Sequence, residues 1–334
     1  MLNRENYRGV FAYPPTPFTD HSLLLDEEAV RSNIRKLATA GVHGIVMAGS
    51  SGEFFTLSSD EYSRLARILQ EECERAGILS VLGTSGLSTS EVIERTRMAM
   101  ETGVDGAIAL QPFYFTLSEA ELYKFWQELS QACPDIGLII YHYDWVRQNY
   151  TLENFKRLAE FSNIVGSKEA HWDFAKWLSF HTHSPLTHMS STDAGWLVEM
   201  HKHKAAGVGS MHLSLSPHVF SEVLSYCKEG EYLKAEEELS TLTEFIGRMK
   251  LGTGRPHIFP SELADWSNYS PTARHKALVD AFGFLKAGPP RPPAIPVSQE
   301  TQEKLKNYIA THWSSLLINK SDTSPVLEEK LWDD

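Results

Sequence analysis

Gly137-Leu-Ile-Ile-Tyr141, then Thr151-Leu-Glu-Asn-Phe-Lys-Arg-Leu-Ala-Glu-Phe161, then Ile164-Val-Gly-Ser-Lys168 read in order as a short apolar run, an amphipathic stretch and a second apolar run. That is the grammar of a βαβ unit, in which a strand buried on both faces alternates with a helix that covers it. Working outward, the same alternation fills residues 8–212. Strands are expected at 9–13, 44–48, 79–83, 106–110, 137–141, 164–167, 186–190 and 207–211, with helices near 26–40, 58–76, 88–103, 117–132, 151–161, 172–182 and 193–204. Three helix starts carry capping sequences, Ser58-Ser-Asp-Glu61, Ser88-Thr-Ser-Glu91 and Thr151-Leu-Glu-Asn154. Eight strands at this spacing favour a closed (β/α)8 TIM barrel over an open sheet.

The expected organisation is a catalytic barrel over residues 1–213, a C-terminal helical extension over 214–318 and a mobile tail over 319–334. Helical patterns continue after the last strand at 215–228, 231–250, 271–287 and 298–316. Gly288-Pro-Pro-Arg-Pro-Pro-Ala-Ile-Pro296 interrupts them as an extended connector.

Composition removes several classes of function. The 334 residues carry a formal net charge of -12, with no basic cluster interleaved with aromatics, which argues against a nucleic-acid partner. No apolar run is long enough to span a bilayer and no signal peptide is read at the start, so the expected location is cytoplasmic, with no membrane partner. Cys73, Cys133 and Cys227 are odd in number, widely separated and outside any CxxC spacing, as free thiols would be. The pairs His181/His183 and His201/His203 lack HExxH spacing, and no metal site is read from them.

Lys168 is the residue that points to chemistry. An ammonium at the end of a buried strand is expensive, and a partly desolvated lysine can supply the neutral amine that attacks a carbonyl. Position alone puts the plainer alternative ahead, a lysine whose stem packs at the strand end while its head reaches water. In a barrel, however, other strand ends converge on the same mouth. They are Gly49-Ser-Ser-Gly-Glu53, Gln111-Pro-Phe-Tyr114 and Tyr141-His-Tyr-Asp144. A Gly-Ser-Ser-Gly turn offers N–H groups and hydroxyls to a carboxylate, although serines and glycines are also ordinary turn residues. Tyr114 and Tyr141 are either rim residues or a proton relay beside the amine.

Here the chain resembles the dihydrodipicolinate synthase / N-acetylneuraminate lyase family of class I, Schiff-base-forming aldolases. The matching motifs are Pro15-Thr-Pro-Phe18, Gly49-Ser-Ser-Gly-Glu53 with Leu57 and Glu61, Gly83-Thr84, Pro112-Phe-Tyr114, Tyr141, Gly166-Ser-Lys-Glu169, Asp193, Gly207-Val-Gly-Ser210 and Arg291-Pro-Pro-Ala-Ile-Pro296. The resemblance implies that Lys168 forms an iminium with pyruvate or another 2-oxo acid. It makes Tyr141 the proton-relay tyrosine, with Ser50 and Tyr114 as relay partners and the Tyr114 equivalent supplied in many members by a neighbouring subunit. Gly49, Ser50 and Ser51 resemble the carboxylate clamp. Val208 matches a residue whose carbonyl faces substrate, and Ser210 and Asp193 fall in matching motifs at the same mouth. The resemblance also implies a homodimer or homotetramer and no cofactor beyond the lysine adduct.

The substrate-choosing positions depart from the best-known members. Tyr141-His-Tyr-Asp-Trp-Val-Arg147 stands where the synthase has Tyr-Asn-Val-Pro, and Asp193-Ala194 where the sialic acid lyase has Asp-Glu. His142, Tyr143, Asp144 and Arg147 are therefore expected to line the specificity side and to suit a polyhydroxylated or acidic tail. The expected reaction is reversible aldol cleavage of a 4-hydroxy-2-oxo acid. The alternatives are dehydration of a 2-keto-3-deoxy sugar acid through the same iminium, or a non-catalytic 2-oxo-acid-binding protein.

Overall fold

Eight parallel strands close into a barrel in simple sequential order, each paired with its chain neighbours and β8 returning to β1. The computed structural model describes residues 1–171, 173–190, 197–249 and 261–317. The strands are β1 (Gly9–Ala12), β2 (Gly44–Met47), β3 (Leu79–Gly83), β4 (Gly106–Ala109), β5 (Gly137–Tyr143), β6 (Ile164–Ala170), β7 (Thr187–Ser190) and β8 (Gly207–Ser210). The first seven helices are α1 (Glu27–Thr39), α2 (Ser59–Ala76), α3 (Thr89–Thr102), α4 (Glu119–Ala132), α5 (Leu152–Leu158), α6 (Phe174–His183) and α7 (Leu197–Lys202). α8 (Pro217–Lys228) follows β8 and supplies the helix of the eighth unit, while α9 (Tyr232–Met249), α10 (Pro271–Phe282) and α11 (Gln299–His312) form the helical addition. The expected tail at 319–334 lies outside the described residues, as does Asp193.

Strand alternation sorts the core into two layers. Phe11, Val46, Val81, Ile108, Ile139, Val165 and Met189 fill the barrel interior, whereas Val10, Ile45, Leu82, Ala107, Ile140 and Val208 meet the surrounding helices. Helix ends follow their sequence signals. Ser58 and Glu61 exchange both hydrogen bonds of a capping box, as do Thr151 and Asn154. Ser88 accepts from the Glu91 N–H, but the Glu91 carboxylate accepts from Leu87 instead of completing a box.

β5 and β6 run two and three residues beyond the sequence-based expectation. Their register sets Tyr141 beside Lys168, His142 beside Glu169 and Tyr143 beside Ala170, and β7 adds Met189 next to Lys168. Lys168 therefore sits within a strand and faces inward, and its neighbours Ser167 and Glu169 face the helices. That alternation positions the site.

Candidate active site

The C-terminal ends of the strands surround a narrow cleft of about 30 Å3, lined by Tyr13, Gly49, Ser50, Ser51, Ser85, Tyr141 and Lys168 among others. Lys168 is only 9% exposed. Its Nζ lies 4.0 Å from the centre of the Tyr13 ring and 4.4 Å from that of Tyr141, so two aromatic faces flank the amine. Burial pushes the phenols of both tyrosines well above their ordinary range, and the hydrogen bond between Tyr141 and Ser50 pulls Tyr141 back only in part. At neutral pH Tyr141 thus holds its proton beside the amine.

The Gly49–Glu53 turn is shaped by two residues with left-handed backbone, Ala48 (φ 53°) and Glu53 (φ 54°), a conformation that non-glycine residues adopt at a cost. Its internal hydrogen bonds run from the Gly52 N–H to Gly49 O and from the Glu53 N–H to Ser50 O, which uses neither the Ser50 nor the Ser51 N–H. Thr16 donates to Gly52 O at 2.7 Å. Gly83 passes so close behind the turn that a Cβ there would collide with Ala48 O.

Glu53 fastens this turn to the C-terminal segment. It is buried, 2.6 Å from the Lys276 ammonium on α10, and accepts from the Arg291 N–H at 2.9 Å. Lys276 also donates to Pro289 O at 3.0 Å. Desolvation lowers the Lys276 pKa to about 8 even though Glu53 opposes the shift. The Arg291 guanidinium forks onto Glu61, which holds that carboxyl down at about 2, and donates to Leu23 O and Thr56 O.

Behind β6 lies a second buried network. Glu169 Oε2 is 2.6 Å from His142 Nδ1 and 2.9 Å from His171 Nε2, while Oε1 accepts from Ser167, itself 2.7 Å from His188 Nδ1. Burial alone would raise the Glu169 carboxyl, but His142, His171 and His188 outweigh it and hold the group well below the usual carboxylate range. His142, Glu169 and His171 have the donor types of a metal centre. Their separations are nevertheless those of direct hydrogen bonds. The outer nitrogen of His142 faces the Tyr150 N–H at 3.5 Å and that of His171 the Asp173 N–H at 3.3 Å. Taking those outer nitrogens as acceptors assigns both ring protons to the carboxylate side.

The structure thus brings together Lys168, Tyr141, Gly49, Ser50 and Ser51. It does not bring His142 to the cleft: this expected substrate ligand points away from the barrel interior because β5 continues through it. Arg147 is exposed, in left-handed backbone beyond the strand, and does not line the cleft. Tyr114 is 84% exposed and absent from the lining. The Val208 side chain packs in the outer layer, and Ser210 caps the turn that follows β8 by accepting from the His212 N–H.

Tyr13 and Ser85 are additions that strand-end reading overlooked. Tyr13 follows β1 directly in Phe11-Ala-Tyr-Pro14, so the signal was there to use. A larger hollow of about 720 Å3 lies at the opposite end of the barrel, among residues such as Arg8, His43, Glu74 and Asp105. No lysine lines it, and barrel chemistry belongs to the other face.

Comparison with known proteins gives a consistent family. A model of the Dihydrodipicolinate synthetase family matches residues 6–312. The chain is 30% identical over 316 residues to a 4-hydroxy-tetrahydrodipicolinate synthase of Methanospirillum hungatei, covering 92% of this chain and 99% of that one. Among solved structures, YagE of Escherichia coli K12, described in complex with pyruvate, superposes with a TM-score of 0.77 at 24% identity, over 91% of this chain and 98% of that one. The N-acetylneuraminate lyase of Proteus mirabilis gives 0.78 at 16% identity, over 92% and 99%. At these identities the two structures speak for the fold alone. No helix among the described residues is long and apolar enough to cross a membrane.

Proposed function

This chain belongs to the dihydrodipicolinate synthetase family, which supports a lyase of the aldolase type, and within it we propose reversible aldol cleavage of a 4-hydroxy-2-oxo acid through a Schiff base on Lys168. One observation carries this reading: the Lys168 amine is enclosed between two tyrosine rings, and one of those tyrosines, Tyr141, is hydrogen-bonded to Ser50 at the mouth of the clamp turn.

The chemistry follows from what each group can do. The neutral amine adds to the C2 ketone, giving a carbinolamine. Tyr141 gives its proton to the departing hydroxyl, which leaves as water, and an iminium forms. The resulting phenolate takes the proton of the C4 hydroxyl while the C3–C4 electron pair moves into the iminium, releasing an aldehyde and leaving an enamine. Tyr141 returns the proton to C3, and water hydrolyses the iminium to free pyruvate and Lys168. The lysine adduct is the electron sink, so these steps call on no other cofactor. The ring faces that flank the ammonium also suit the cationic iminium. The Ser50 and Ser51 N–H groups and hydroxyls hold the substrate carboxylate.

Tyr114 belongs to this scheme only across a subunit boundary, because its ring is exposed at its own barrel mouth. Phe55, in the turn after β2, and the adjacent Tyr114 and Phe115, between β4 and α4, are large exposed rings, and such a surface calls for a cover. A second copy of the chain supplies it in the proposed homodimer or homotetramer.

Product analysis on a panel of 4-hydroxy-2-oxo acids tests the reaction. Equal amounts of pyruvate and aldehyde are expected. Loss of water with the carbon chain intact would overturn aldol cleavage in favour of a dehydratase. No turnover and no adduct would leave a 2-oxo-acid-binding protein.

A further inference from the structure

Of the four residues expected to receive a hydroxylated or acidic tail, His142 is turned behind the strand, Asp144 and Arg147 are exposed beyond it, and Tyr143 belongs to a stack of rings that rises from the cleft. Tyr143 stacks on Tyr141 with centroids 5.2 Å apart and planes at 5°, and Trp145 continues the stack at 5.9 Å and 7°. Three rings therefore climb from the Schiff-base pocket to the surface, where Trp145 is 59% exposed. Phe113, Val146, Ala170 and Met211 are half-buried against the same inner cluster as Tyr141. Met211 Sδ lies 3.7 Å from Ser51 Oγ, so hydrocarbon and sulfur border the clamp itself.

From this arrangement we infer that the substrate carries an aryl group at C4: the aldehyde released or accepted is aromatic. This rests on the aldol reading above and names its substrate class. The floor of the cleft takes the 2-oxo acid head, and the rest of the molecule must rise along the ladder. A planar ring there gains edge-to-face or offset contacts with Tyr143 and Trp145. A polyhydroxylated chain in the same place would desolvate hydroxyls against rings and alkyl groups, which is unfavourable without partners. Among the described residues, His142 is engaged by Glu169 behind the strand, and Asp144 and Arg147 are exposed to solvent.

The test compares kcat/KM for pyruvate release from 4-hydroxy-2-oxo-4-phenylbutanoate and from 2-keto-3-deoxygluconate, alongside borohydride trapping of pyruvate. The aryl substrate is expected to lead by at least about tenfold, a ratio within reach of apolar pocket contacts. Trp145→Ala and Tyr143→Ala are each expected to lower the aryl-to-sugar ratio by about tenfold. Trapped pyruvate with the sugar acid preferred would overturn the aryl assignment and leave the Schiff-base reading standing. Absence of trapped pyruvate would overturn both. A Trp145→Ala protein that keeps the aryl ratio but changes its oligomeric mass by light scattering would assign the ladder to a subunit contact and refute the proposal.

Discussion

Replacing Lys276 with Met should unfasten the Gly49–Glu53 turn, the proposed carboxylate clamp, from the C-terminal segment. Lys276 and Glu53 are each 1% exposed in their side chains and 2.6 Å apart. The fall of the Lys276 pKa from 10.5 to about 8 corresponds to a net cost on the order of 3 kcal/mol for keeping that ammonium charged in the fold. Methionine removes this cost but strands the Glu53 carboxylate, whose other oxygen keeps only the Arg291 N–H. Breaking a buried pair from one side destabilises by about 3–5 kcal/mol. At about 2 °C per kcal/mol for a chain of this size, Tm should fall by about 6–10 °C. Because Glu53 ends the turn that presents Ser50 and Ser51, pyruvate trapping should also need a higher pyruvate concentration. The double variant Glu53→Gln with Lys276→Met removes both charges, and its loss should be well below the sum of the two single losses. Thermal unfolding of the four proteins measures this. A single-variant loss under about 1 kcal/mol, or strict additivity, would refute the reasoning.

Three further outcomes follow from the same geometry. Glu169→Gln replaces the acceptor of three donors with a half-donor, so Tm should fall by an amount corresponding to about 3 kcal/mol, while Glu169→Asp should recover part of it. Acid should destabilise the protein steeply. Glu61, forked by Arg291, and Glu72 on α2, held by Arg35 and Arg31, sit at about 2, so their stabilisation is complete above the unfolded value of 4.5 and disappears as pH falls toward about 2, and the depressed Glu169 carboxyl adds a loss in the same direction. Each contributes a slope of up to about 1.4 kcal/mol per pH unit in that window, and a Tm that stayed flat from about pH 6 to about pH 3 would contradict the assignment. Tyr141→Phe should keep the fold and slow adduct formation and cleavage by about 100-fold or more, as loss of a general acid–base does, measured by trapping rate and pyruvate release.

The barrel was legible because each strand is an apolar run with its own helix, and the capping serines fixed where those helices begin. The ends of β5 and β6 were not legible. His142 and Glu169 look like loop residues in sequence, and only their pairing across neighbouring strands makes them tolerable inside the fold. That long-range contact decides which of residues 141 to 143 face the cleft, and so it overturned the expectation for His142. Lys276 shows the same limit: in sequence it is an ordinary helical lysine, and its burial depends on Glu53, more than two hundred residues earlier. The Gly49–Glu53 turn was readable from its residues, but not the two left-handed positions that shape it or the C-terminal segment that holds it.

The central claim concerns one nitrogen atom. Incubating the intact protein with pyruvate and borohydride, then mapping the product by peptide mass analysis, should place a single reduced pyruvate adduct on Lys168, and Lys168→Ala should take none up while keeping its thermal unfolding profile. An adduct elsewhere in the chain, or equal labelling of the Lys168→Ala protein, would contradict the account.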